Sequence, residues 1–428
     1  MSCRCRLTAF PFGGSLIKKF TAMKFACFLS ALIVLFAPAK LSAQPSADAV
    51  IQRIDGSAIT TDSLTKKIRQ LMHDAKVDGM QVVVFNDDKA VYKQAFGYAN
   101  KAQNTPLATS NSMYGASLSK AVFSTLVMKL VEQEKLDLDK PLQEYLDRPV
   151  YDYPAKGENY WGSDFSDLKG DTLYQTITAR MCLSHTTGFA NWRWFEPDQK
   201  LHIRFKPGSK FQYSGEGMGY LQFVIEHITG KRLNDLAQEL IFDPAGMKQS
   251  GYIWSDAFGG QIAQGHDTNG KVYPVKKYVV ERAGSTLQTT GDDYIAFLES
   301  LMHNKLVNPA SRKEMFRPQI RIHSMLQFPT SPENDRDTHQ NDHIQLSYGL
   351  GWVVFQPPFG PGVFKAGHGD GFQHFSIVFP EKKIAMLIMA NSDNAESIFK
   401  YLLENAIADT YTPWFWEKYI PYDVIIKF

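Results

Sequence analysis

Ser117 and Lys120 stand three residues apart in Gly115-Ala116-Ser117-Leu118-Ser119-Lys120, at the head of an apolar run. Residues three apart on a helix are neighbours, so a helix beginning here brings a hydroxyl and an amine together. The run continues through Val122, Phe123, Leu126, Val127, Met128, Leu130 and Val131, apolar on most sides, which predicts a buried helix. Burial disfavours the ammonium form of a lysine. A neutral amine beside a hydroxyl is the base that a serine nucleophile requires, and the positive end of the helix dipole favours the anion that develops there.

The spacing recurs at Ser15–Lys18, Ser63–Lys66, Ser166–Lys169 and Ser397–Lys400. Ser63 and Ser397 precede amphipathic runs and read as helix N-caps with solvated lysines. Ser166 reads as a polar loop, and Ser15 falls in a targeting segment. Two further stretches carry usable groups. Tyr213 lies in Phe211-Gln212-Tyr213-Ser214-Gly215-Glu216-Gly217, ahead of a helix expected at 221–228; it reads as a proton-handling phenol or as a core or turn tyrosine. In Val363-Phe364-Lys365-Ala366-Gly367-His368-Gly369-Asp370-Gly371-Phe372, a strand carries a lysine before glycines that let backbone approach a ligand closely. The other reading is a hairpin turn with a snorkelling lysine.

The aromatic residues Tyr151, Tyr153, Tyr160, Trp161 and Phe165, with Trp192, Trp194 and Phe195, read as a pocket wall or as packing. His185, His266 and His374 show no His-x-x-x-His or carboxylate pairing, so no metal is expected, nor any other cofactor. No Gly-x-Ser-x-Gly elbow is present, which argues against an α/β-hydrolase.

The elements that must position these groups follow from the chain's organisation. Residues 1–43 combine basic residues, the apolar stretch 25–36 and Leu41-Ser42-Ala43, the pattern of a secretory signal peptide, with Met23 as an alternative start. That segment holds Arg4, Arg6, Lys18, Lys19, Lys24 and Lys40 and no acid. Without those six, the 46 basic residues fall to 40 against 44 acidic, a net charge of −4 instead of +2, and nothing favours nucleic acid. Cys3, Cys5 and Cys27 leave with it, and Cys182 reads as a buried core thiol. An exported protein, periplasmic or secreted and without a stable membrane anchor after cleavage, is expected. Two strands around the Asn86-Asp87-Asp88 turn, a mainly helical middle, strands at 353–355, 363–365, 375–379 and 384–389, and a last helix at 395–408 predict one sheet built from both chain ends. The expected fold is α/β (α+β): an antiparallel sheet flanked by helices, with an inserted, mainly helical part at about 113–264. The sheet part covers about 50–112 and 265–428, all within one catalytic domain, 44–428.

Taken in order, Ser117-x-x-Lys120, Tyr213-Ser214-Gly215 and Lys365-Ala366-Gly367 resemble the motifs of the serine β-lactamase and penicillin-recognising family. The likeness is greatest to class C β-lactamases and their esterase and D-peptidase relatives, over roughly 55–410. Leu183-Ser184-His185-Thr186-Thr187-Gly188, Phe242-Asp243-Pro244-Ala245-Gly246-Met247 and Tyr348-Gly349-Leu350-Gly351-Trp352 are similar to family patches. The resemblance implies Ser117 as acylated nucleophile, Lys120 as its base, Tyr213 as proton relay and Lys365 as positive charge near the tyrosine and a substrate carboxylate. It implies an oxyanion hole from the backbone N–H groups of Ser117 and His368, and Gly215, Ala366 and Gly367 at the substrate. A second register would put His368 in place of Lys365; only the Lys365 register keeps Gly371-Phe372 in line. Gly215 replaces the family's asparagine and Ala366 its hydroxyl, and deleting such polar partners relaxes recognition. The implied activity is therefore that of an esterase or D-amino-acid peptidase, more than of a true β-lactamase, on a small or peptide-like ester, amide or β-lactam. The alternative is a catalytically weak scaffold of this family serving as a binding or sensor protein.

Overall fold

The computed structural model describes residues 49–155, 164–258, 261–329 and 335–425. The expected signal segment, Tyr160 and Trp161 lie outside the described residues. Nine strands form one sheet: β1 (Gly79–Asn86), β2 (Lys89–Asn100), β3 (Thr105–Pro106), β4 (Ile320–Arg321), β5 (Ser347–Tyr348), β6 (Val353–Phe355), β7 (Gly362–Gly369), β8 (Phe372–Phe379) and β9 (Ile384–Ala390). Their spatial order is β3-β2-β1-β9-β8-β7-β6-β5-β4. Every pairing is antiparallel. The chain ends meet at β1 and β9, where Val83 lies opposite Leu387 and Gln81 opposite Met389. The sheet is thus assembled from both ends of the chain, as the sequence implies.

The central strands are almost continuously apolar because both faces are covered. Side chains alternate across the sheet, so Ala385, Leu387 and Met389 of β9 join one apolar cluster while Ile384, Met386 and Ile388 join the other. The first cluster holds helix α2 (Ser119–Glu132) and most of the helical middle. That region includes α3 (Ala179–Leu183) and α4 (Gly215–Thr229). The second holds α1 (Thr61–Ala75) and α5 (Glu396–Ile407). Among the described residues, no helix is long and apolar enough to cross a membrane.

Local chemistry corrects several sequence expectations. Thr60, not Ser63, caps α1, its hydroxyl accepting from Ser63 N. Ser397 lies inside α5, whose cap position is Ala395. The helix expected from 221 starts at Gly215, because Ser214 Oγ accepts from Gly217 N at 2.9 Å and so caps it. A further short helix, α6 (Trp414–Glu417), follows α5 and places Trp416 and Glu417 in the interior.

Candidate active site

The chain enters the Ser117 turn from a short ladder between Ser112–Tyr114 and Gln288–Thr290. Gly115 N then donates to Leu287 O at 2.7 Å. Ala116 takes φ +46°, the left-handed region that costs a residue with a Cβ. Ser117 sits in the 3₁₀ turn Ala116–Leu118, which runs directly into α2. Ser119 braces this turn: its Oγ donates to Ala116 O at 2.5 Å and accepts from Leu287 N at 3.0 Å. Strand β7 presses on the turn from the other side. A Cβ added to Gly367 would lie 2.9 Å from Gly115 O and 3.3 Å from Leu118 N, so only glycine lets the two backbones approach so closely.

Around the half-buried Ser117 the three motifs converge. Lys120 Nζ stands 3.1 Å from Ser117 Oγ and donates to Gly284 O at 2.6 Å. Lys365 Nζ donates to Tyr213 Oη at 3.0 Å. Both ammonium groups also lie over the Tyr213 ring, 4.7 Å and 4.8 Å from its centre. Lys120 and Lys365 are each 1% exposed and Tyr213 4%, so their charges are poorly solvated. Burial, then repulsion from Lys365, holds Lys120 well below the usual lysine range. Burial pulls Lys365 down to about 8, opposed by the Glu417 carboxylate. Burial raises the Tyr213 phenol, opposed by a hydrogen bond with Ser117. The phenol is therefore neutral at ordinary pH, and Lys120 is the group readiest to take a proton from Ser117.

The side chain that meets Tyr213 is that of Lys365, not His368. The His368 imidazole is exposed, and its Nδ1 lies 2.7 Å from Glu396 Oε1, which raises its pKa. Its main chain continues β7 just beyond Gly367, on the strand that touches the Ser117 turn. Ala366 is 6% exposed and joins the apolar cluster of Tyr213 and Phe211.

Three further residues complete the site: His185 and Glu417, which sequence reasoning did not place in it, and Trp192, which it read as pocket wall or packing. His185, weighed as a metal candidate, packs on Tyr213 with ring centres 4.2 Å apart. Its Nδ1 accepts from Ser214 N at 3.1 Å, which fixes the proton on Nε2. The signal was present in the Leu183–Gly188 patch. Glu417 comes from the last helix and faces Lys365 electrostatically. Trp192 fills the space beside Gly215: a Cβ there would fall within 3.0 Å of three of its indole carbons. His266 and His374 serve main-chain groups instead, His266 accepting from Lys101 N at 3.0 Å and His374 donating to Tyr114 O at 2.8 Å. Cys182 is fully buried, and burial raises its thiol.

The family model named Beta-lactamase matches residues 64–408, most of the chain and all of this site except Glu417. The chain belongs to that family. Penicillin-binding protein 4* of Bacillus subtilis (strain 168) is 24% identical over 353 residues, covering 74% of this chain and 68% of that protein. The D-alanyl-D-alanine-carboxypeptidase/endopeptidase AmpH of Escherichia coli (strain K12) is 22% identical, covering 79% of this chain and 86% of its own length. Among solved structures, EstCE1, described as a hydrolase with promiscuous acyltransferase activity, superposes with a TM-score of 0.64 at 18% identity. The match covers 82% of this chain and 99% of that one; at that identity the likeness is one of fold. Membership places the chain in the β-lactamase and penicillin-recognising serine-hydrolase superfamily, whose relatives include esterases and D-peptidases.

Proposed function

We propose that this protein is an exported serine hydrolase, a single catalytic domain over residues 44–428, that forms an acyl-enzyme on Ser117. The observation that carries the reading is the 3.1 Å approach of a buried, pKa-depressed Lys120 amine to Ser117 Oγ. The amine takes the hydroxyl proton as Ser117 Oγ forms a bond to the substrate's carbonyl carbon. The backbone N–H groups of Ser117 and His368 receive the oxyanion. As that intermediate collapses, the bond to the leaving alcohol or amine breaks, and Tyr213 passes the leaving group a proton. Water then attacks the acyl carbon, gives up its proton through the same groups and releases the acid, restoring Ser117. Lys365 holds Tyr213 in place through the 3.0 Å hydrogen bond and supplies positive charge.

An ester or D-amino-acid peptide substrate is favoured over a β-lactam. Gly215 offers no side chain to a substrate amide, and Ala366 offers no hydroxyl to a carboxylate. Export is supported by the composition of residues 1–43. The test is turnover of 4-nitrophenyl acetate, a D-alanyl-D-alanine peptide and a chromogenic cephalosporin by the mature chain and by Ser117→Ala. Ester or peptide turnover that vanishes in the variant is expected. Turnover that persists without Ser117 removes the proposal.

A further inference from the structure

Helix α3 ends in a left-handed turn, a place where glycine is the usual residue. Thr186 N donates back to Met181 O at 2.9 Å and His185 N to Cys182 O at 3.4 Å, and the residue in the left-handed conformation is His185, with φ +58°. A residue with a Cβ adopts that conformation at a cost. The imidazole adds a second cost. It is fully buried, and its Nε2 has no hydrogen-bond partner among the described residues. An apolar side chain would avoid that penalty. Backbone strain and an unsatisfied buried N–H at one residue point to a function that offsets them.

What His185 holds is Tyr213. His185 O accepts from Gln212 N at 2.8 Å, and its Nδ1 accepts from Ser214 N at 3.1 Å. Between them the two rings stack with centres 4.2 Å apart and planes 31° from parallel. These contacts fix the residue before the tyrosine, the residue after it and the ring itself. Ser214 is tied further, its Oγ donating to Ala190 O at 2.9 Å and accepting from Gly217 N at the start of α4. The phenol oxygen is thereby delivered to Lys365 Nζ at 3.0 Å and to its hydrogen bond with Ser117. Phe211 and Tyr348 also pack against the imidazole. Burial, then repulsion from Lys120 and Lys365, holds His185 well below the usual histidine range, so Nδ1 stays an unprotonated acceptor.

We infer that His185 is the positioning residue for the Tyr213 phenol: through Gln212 and Ser214 it sets where that oxygen stands when it passes a proton to the leaving group. The inference rests on the acyl-enzyme reading for the role of Tyr213. Losing the grip leaves the phenol present but misdirected, so the damage runs through one oxygen.

The experiment is a double-mutant cycle with a rescue. His185→Phe keeps an aromatic ring and removes the acceptor. His185→Asn tolerates the left-handed backbone and offers Oδ1 to Ser214 N. Both are measured by kcat/KM on 4-nitrophenyl acetate, with urea unfolding to verify folding, and His185→Phe is repeated in Tyr213→Phe. Misplacing a catalytic group by about 1 Å can cost on the order of a hundredfold, so His185→Phe should lose at least about tenfold. His185→Asn should recover most of that loss. In Tyr213→Phe the same His185→Phe change should cost less than about twofold, because losses through one phenol do not multiply. An equal loss in both backgrounds, a His185→Asn no better than folded His185→Phe, or a folded His185→Phe as active as the wild type overturns the inference. A Tyr213→Phe as active as the wild type is a different failure: it removes the relay, and the role of His185 with it.

A second measurement needs neither turnover nor the phenylalanine variant. In Ser117→Ala carrying isotope-labelled histidine, nitrogen NMR signals of His185 are identified by their loss in Ser117→Ala/His185→Asn. They should show a proton on Nε2 and none on Nδ1 from about pH 5 to about pH 8. A proton on Nδ1 within that range overturns the inference. If the wild type cleaves no ester, the acyl-enzyme reading fails, and these signals still decide the grip.

Discussion

Replacing Tyr213 by phenylalanine removes one oxygen and keeps the ring, so the stacking on His185 and the two lysine–ring contacts survive. What is lost is the acceptor 3.0 Å from Lys365 Nζ, in a place where that lysine is 1% exposed. An unsatisfied buried donor costs about 1–3 kcal/mol of stability, a loss that a folded protein of this size can survive. The catalytic loss is larger. A positioned acid–base group contributes roughly 10²–10⁴-fold in rate, or about 2.7–5.4 kcal/mol at 1.36 kcal/mol per tenfold. Measuring kcat/KM on 4-nitrophenyl acetate alongside urea unfolding separates the two effects. The expected result is a hundredfold loss or more, on the order of the acid–base contribution, in a protein that still unfolds cooperatively. A folded Tyr213→Phe within about fivefold of wild type would refute the relay, because no acid–base role is that small.

Other predictions follow from the same geometry. Lys120 acts as a neutral amine and its pKa is depressed, so kcat/KM should rise with pH and level off well short of the usual lysine range near 10.5. Lys365 acts as a cation, so the rate should fall again as pH climbs past about 8; a rate still rising beyond pH 10 would contradict both assignments. Burial raises the Glu417 carboxyl to about 8 as well, so its charge appears over the same pH range in which Lys365 loses its own. Glu417→Gln removes that charge, which opposes the loss of the Lys365 proton, and should move the falling limb of the profile to lower pH; movement the other way would reject the coupling. Arg193→Met strands Glu216, which is 2% exposed, and should cost about 3–5 kcal/mol in urea unfolding. A cost below about 1 kcal/mol would mean that the pair does not pin the segment carrying Trp192.

How much of this was legible in the sequence depended on the distance over which each contact was made. Ser117 and Lys120 were readable because a helix alone sets their spacing. The sheet was readable because strands buried on both faces are almost continuously apolar, as β1 and β9 are. Tyr213 and Lys365 meet across 152 residues, and neither reads as functional by itself; the order of three motifs linked them. The start of α4 was hidden because Gly215-Glu216-Gly217 resembles a loop. The reason for Gly215 lies in Trp192, a contact across a folded strap that no local pattern encodes. Glu417 was hidden for a similar cause: a carboxylate near the end of a chain reads as solvated until packing buries it.

The most direct test of the central claim is the mass of the mature protein after incubation with a fluorophosphonate, followed by peptide mapping. The account predicts one stoichiometric adduct on the peptide carrying Ser117, absent in Ser117→Ala and lost or strongly slowed in Lys120→Ala. An adduct that survives Ser117→Ala, or no adduct on folded wild-type protein, would contradict it.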